Sequence, residues 1–188
     1  MSNEKNVYER LWKLWTMICK MIMDGVRDPY KVAEILQGIV TEVKVYLRRL
    51  YETESIIVGA TNGTETFVSS GIFAGGVYGE TLPIGVGKPT LATNAIVDEI
   101  IEDGKFTELF GSLGERNRWQ ESQVVQFCRD HRDKLRTDGY GTFFELEGGF
   151  VARVDVGGDG RLRVYVRKFS NDDVWHARYR PRIVVPQQ

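Results

Sequence analysis

The chain has 188 residues, 42% hydrophobic, 11% aromatic and 27% charged, with a formal net charge of −1. That composition excludes a collagenous, a disordered or a globally polycationic protein, and it suits one substantial core. Its two cysteines, Cys19 and Cys128, supply neither a disulfide framework nor a metal cluster and point to a reducing compartment. Glu4 and Glu9 precede the first apolar run, which argues against a signal peptide, and no uncharged stretch of 18 residues occurs. The expectation is a cytoplasmic protein with no membrane partner.

Read in order, residues 6–24 have the spacing of a helix, with Val7, Leu11, Leu14, Ile18 and Met21 on one stripe and Tyr8, Trp12, Trp15, Cys19 and Ile22 on the next. The apolar arc is wider than one neighbour can bury. Leu11, Trp12, Trp15, Ile18 and Ile22 are therefore a candidate surface for a protein partner or for self-association. Asp28 as N-cap and Pro29 at the first helical position open a second helix, expected to run to about Thr53 and to complete a helical hairpin over residues 5–54.

Residues 55–92 form a glycine-rich segment. Ile56-Ile57-Val58 and Thr64 to Val68 flank Asn62-Gly63, a hairpin signal, and the following glycines with Pro83 and Pro89 read as a long irregular loop. Ile84 to Thr90 superficially suggests a phosphate loop, but Leu82 stands where its first glycine belongs and Pro89 follows the lysine. Residues 93–140 are expected to be helical, with helices at about Leu91–Asp103, Phe106–Phe110 and Gln120–Leu135.

Residues 141–187 read as an antiparallel sheet. A loop at Glu147-Gly148-Gly149 sets Leu146 opposite Phe150, Phe144 opposite Ala152 and Thr142 opposite Val154. A second loop, from Gly157 to Arg161, sets Val156 opposite Leu162, Val154 opposite Val164 and Asp155 opposite Arg163. A third, Ser170 to Asp173, would set Phe169 opposite Val174, Val166 opposite Ala177, Val164 opposite Tyr179, Tyr165 opposite Arg178 and Arg167 opposite His176. One face is then apolar, and includes Trp175, Ala177 and Tyr179. The other carries Glu145, Arg153, Asp155, Arg163, Tyr165, Arg167, His176, Arg178 and Arg180. From Arg161 to Arg182 seven basic residues stand against two acidic ones, a net +5, so residues 1–160 carry −6. Such a face is either solvated surface with cross-strand ion pairs or a platform for an anion, including nucleic acid, on Arg153, Arg163, Tyr165, Arg167, His176, Arg178 and Arg180.

Chemistry has few carriers. Cys128 and His131 share a helical face as a nucleophile–base or half-metal-site candidate, though a buried thiol beside a surface imidazole is the better account of them. His176, near Asp172 and Asp173, is a candidate general acid–base for a hydrolase or nuclease. No cofactor or metal signature occurs.

Four blocks carry a family resemblance: YLRRLYETESIIVGATNGTET (46–66), FGSLG (110–114), FCRDHRDKLRTDGYGTFFELEGGFVARVDV (127–156) and VWHARYRPRIVVPQ (174–187). They resemble a group of small uncharacterised proteins of reduced-genome, host-dependent candidate-phylum bacteria. The resemblance implies a cytoplasmic bacterial protein and assigns no activity or residue.

The sequence thus predicts a single α+β domain over residues 1–188. Its N-terminal helical hairpin and two further helices would pack on one face of a C-terminal antiparallel meander. It would act as a non-enzymatic module binding an anionic partner, with a helix-borne scaffold and a His176 enzyme as alternatives.

Overall fold

The computed structural model describes residues 12–13, 15–20, 23–25, 28, 30–32, 45–83, 87–114 and 117–187. It divides into a unit of residues 1–44 and a unit of residues 45–188. In the first, residues 12–13, 15–20, 23 and 30–32 are helical. Asp28 caps its helix as the sequence predicts: Tyr30 N–H donates to Asp28 Oδ1 at 2.8 Å. The remainder of the expected hairpin up to residue 44, with Leu11 and Ile22 of the candidate interface, lies outside the described residues. So do Ile84 to Val86.

The second unit is mixed α+β. Its strands are β1 (Leu47–Leu50), β2 (Ile56–Val58), β3 (Phe73–Gly79), β4 (Thr93–Ile100), β5 (Gly141–Leu146), β6 (Phe150–Val156), β7 (Leu162–Lys168) and β8 (Arg182–Pro186), with helices α1 (Phe106–Gly111) and α2 (Glu121–Asp130). The sheet order is β1-β4-β8-β5-β6-β7-β3, and β2 also pairs with β4. The sheet is mixed rather than an antiparallel meander: β5 runs parallel to β8, and β3 parallel to β7.

The two hairpin registers are as read from sequence. Leu146 pairs with Phe150, Phe144 with Ala152, Asp155 with Arg163 and Val156 with Leu162. The positive φ of Gly148 and Gly149 (83° and 82°) and of Gly160 (72°) makes those turns possible. The third hairpin does not exist. Trp175 makes an isolated bridge to Gly104, residues Ala177–Tyr179 form a 3₁₀ turn, and Arg180 closes it at φ 50°. The edge of β7 goes instead to β3, which sets Tyr78 beside Tyr165.

Four other expectations are corrected. The helix expected to reach Thr53 is a strand at Leu47–Leu50. There Arg48 and Arg49 sit directly opposite Glu99 and Asp98, with ion pairs of 2.5 and 2.6 Å. The helix expected at Leu91–Asp103 is β4, an inner strand buried on both faces, so its apolar residues run together instead of alternating. The irregular glycine segment contains β3. Its Gly75 and Gly76 adopt φ of 78° and 79° at a register shift; Gly79, beyond the shift, has φ 94°, and a Cβ on it would stand 2.3 Å from the Val166 carbonyl oxygen. Ile56–Val58 pairs with β4, not with Thr64 to Val68, and Asn62 instead accepts the Thr64 N–H in a local turn.

Helices α1 and α2 lie where the sequence puts them, α2 ending at Asp130. Both faces of the sheet are covered. One holds α2, with Phe127 and Val124 packed against Phe144, Val154, Val164 and Val184. The other holds α1, with Phe106 and Phe110 against Phe143, Val151 and Ile183. Each such side chain contributes roughly 1.5–3 kcal/mol on leaving water. Trp175, expected on the first face, packs on the second. Among the described residues no helix is long and apolar enough to cross a membrane.

Candidate functional site

The face bearing Arg153, Asp155, Arg163, Tyr165 and Arg167 exists on β6 and β7, but most of its charge is spent internally. Arg153 Nε and Nη2 donate to the two oxygens of Asp155 at 2.8 and 2.7 Å. Burial raises the Asp155 carboxyl above the ordinary aspartate value, and the neighbouring Arg153 only partly opposes this. Arg163 pairs with Asp159 at 2.8 Å. Arg180 lies 3.7 Å from Glu99, and the buried Glu145 accepts from Arg118 at 2.7 Å. Arg167 is exposed and has no ion pair among the described residues. Among the described residues, Arg153 and Arg163 are thus each paired with an acid near in sequence, Asp155 on the same strand and Asp159 in the preceding loop.

What the fold builds instead is a stack that ends in a cavity. Tyr78 and Tyr165 stack at 5.0 Å and 25°. The Arg153 guanidinium lies 5.4 Å from the Tyr165 ring centre and 5.6 Å from that of Trp175, and Trp175 stacks on Phe106 at 5.3 Å. Beyond Arg153 opens a cavity of about 310 Å³ lined by Tyr140, Gly141, Arg153, Trp175, His176 and Tyr179. Tyr140 and Tyr179 stack at 5.1 Å and 17°. Arg178 covers the Tyr179 ring at 4.5 Å and donates to its hydroxyl at 2.6 Å. Gly141 is required here, since a Cβ would meet the Arg153 side chain at 2.7 Å.

His176 is held by a carboxylate. Its Nδ1 lies 2.7 Å from Asp103 Oδ2, while Asp103 Oδ1 accepts the Ala177 N–H at 2.8 Å. With Asp103 Oδ2 as acceptor, Nδ1 is the donor, and Nε2 has no hydrogen-bond partner among the described residues. Asp172, proposed from sequence as its neighbour, pairs with Lys105 at 2.7 Å instead.

The sequence-predicted residues therefore separate. Arg153 and His176 line the cavity, Arg178 and Tyr165 flank it, and Arg163, Arg167 and Arg180 do not line it. Asp103, Tyr140, Trp175 and Tyr179 were missed as site residues. Trp175 and Tyr179 were placed on the apolar face by an alternation that belongs to no strand, and Asp103 read as the end of a helix. The larger hollow of about 510 Å³ beside Val77, Leu82 and Pro83 carries Glu80 and Glu121 and no basic residue, so it does not suit an anion.

The Cys128–His131 pairing fails. Cys128 is buried and its thiol is pushed far above the ordinary value by desolvation, and His131 Nε2 meets the Ile57 carbonyl at 2.7 Å. In a native thiol titration, Cys128 is expected to stay unreactive until denaturant is added, leaving at most the partly exposed Cys19 to react. Two fast thiols in the native protein would contradict this. Among the described residues no group of three or more His, Cys, Asp or Glu could hold a metal ion.

Within the N-terminal unit, Trp12 and Trp15 are exposed and Ile18 is half-buried. Comparison with family models, curated proteins and solved structures gives no match.

Proposed function

We propose that residues 45–188 form a binding module for an anionic chain, single-stranded nucleic acid in particular. It would be read through the Tyr140–Arg153–Trp175–His176–Tyr179 cavity rather than across a flat basic face. The observation that carries this reading is the convergence of two aromatic stacks, a guanidinium and an imidazole on one concavity of about 310 Å³. A concavity of that size suits a single unstacked ring, and the exposed Arg178 and Arg167 stand outside it for flanking phosphates. A duplex keeps its base faces stacked and offers no such ring.

Binding is expected to favour a labelled single-stranded RNA or DNA oligonucleotide over its duplex. With two or three phosphates neutralised, affinity would fall roughly tenfold between 50 and 200 mM salt. Equal binding of duplex and single strand, or none at low salt, would overturn the reading.

A second reading has its own support. Trp12 and Trp15, 70% and 51% exposed on the helical N-terminal unit, suit a protein partner or a second copy of the chain. Light scattering of wild type beside Trp12→Glu distinguishes it.

A further inference from the structure

We infer that the cavity also cleaves RNA, with His176 as general base toward the ribose 2′-hydroxyl; this rests on the binding reading above. Three observations lead to it. His176 lines the cavity whereas Asp103, which meets its Nδ1, does not. Nε2, with no hydrogen-bond partner among the described residues, is the nitrogen left to accept a proton. A carboxylate that fixes the tautomer and stabilises the imidazolium is the arrangement a base needs. Arg153 stands in the same wall. Its Nε and Nη2 are taken by Asp155 and Gly139, while Nη1 makes no hydrogen bond among the described residues and is available to a phosphate oxygen.

The step balances without metal or oxidant. Nε2 takes the proton of the 2′-hydroxyl as the 2′-oxygen bonds to phosphorus. The bond from phosphorus to the 5′-oxygen breaks, its electron pair leaving with that oxygen, which takes a proton from water. The hydroxide so formed receives the proton held by His176. The products are a 2′,3′-cyclic phosphate and a 5′-hydroxyl end. DNA lacks the attacking hydroxyl and is bound but not cut. Asp103 is a positioning residue, since it acts through the imidazole.

The test uses the full chain in EDTA with one labelled single-stranded RNA and its DNA counterpart, measuring binding and cleavage on the same oligonucleotides. The expected result is cleavage of RNA alone, with cyclic-phosphate ends. His176→Gln should lower the cleavage rate by about 10² or more beyond any loss in binding, the range for removing a general base. Asp103→Asn should slow cleavage less and shift the pH–rate profile, which a merely structural role would not do. Wild type that binds RNA without cleaving it overturns this inference and leaves the binding reading intact, as does His176→Gln protein that cleaves as fast as wild type. Wild type that binds neither oligonucleotide removes both.

Discussion

Trp119→Ala is expected to destabilise the protein by about 4 kcal/mol, in the range for emptying a buried tryptophan site. Trp119 is 1% exposed and does three jobs. Its backbone bridges to the end of β5: Trp119 N–H donates to the Glu145 carbonyl at 2.9 Å, and the Trp119 carbonyl accepts from Glu147 N–H at 3.0 Å. Its ring meets Phe144 edge-on at 6.5 Å. Its indole Nε1 donates to the Val184 carbonyl at 2.8 Å, tying the segment before α2 to β8 in the middle of the sheet. Truncation leaves a cavity and removes that hydrogen bond together. Trp119→Phe keeps most of the bulk and loses only the donor, so about 1–2 kcal/mol is expected. Urea unfolding followed by circular dichroism measures both. A loss under 1 kcal/mol for the alanine variant would mean the α2 face of the core is not packed as described.

The second large effect falls on binding. Tyr179→Ala is expected to weaken single-stranded RNA affinity between about 5- and 150-fold, the equivalent of 1–3 kcal/mol for one lost stacking surface. The ring stacks on Tyr140 and lies under Arg178, so its removal dissolves one wall of the cavity and frees the guanidinium over it. Tyr179 is itself exposed, in a 3₁₀ turn outside both core clusters, so stability should change little. Tyr179→Phe retains the ring, loses the hydroxyl that accepts from Arg178, and should bind nearly as wild type. Anisotropy at 50 mM salt gives all three affinities. Unchanged binding by the alanine variant would separate the cavity from the ligand.

Sequence reading succeeded where information is local. The β5–β6 and β6–β7 registers follow from strict two-residue alternation and from loops whose glycines supply positive φ. Helices α1 and α2 are legible for a similar reason. Glu108 reaches back to the Lys105 N–H at 2.8 Å and Gln123 to the Gln120 N–H at 3.1 Å, each three residues on.

The failures are non-local. Ile96, Val97 and Ile100 fit a helical spacing as well as an inner strand. Only the three strands that pair with β4, drawn from residues 47–58 and 182–186, decide between them. Residues 174–180 alternate like a strand, yet the edge of β7 is taken by β3, from nearly 90 residues earlier. The site suffered from the same error. A face drawn from a hairpin that does not form spread Arg178 and Arg180 along a sheet, whereas the 3₁₀ turn and the Asp103–His176 contact gather Trp175, His176 and Tyr179 around Arg153. No pattern in 174–180 announces that Asp103 will stand beside it.

The most direct measurement is a titration of ¹⁵N-labelled protein with single-stranded RNA, following the side-chain signals of the four indoles, Trp12, Trp15, Trp119 and Trp175. Trp175 lines the cavity and Trp119 is sealed in the opposite core. The account predicts that the Trp175 signal moves with the same saturation as binding while Trp119 stays in place. Movement of Trp12 and Trp15 with Trp175 unmoved would put the ligand on the N-terminal unit and contradict it.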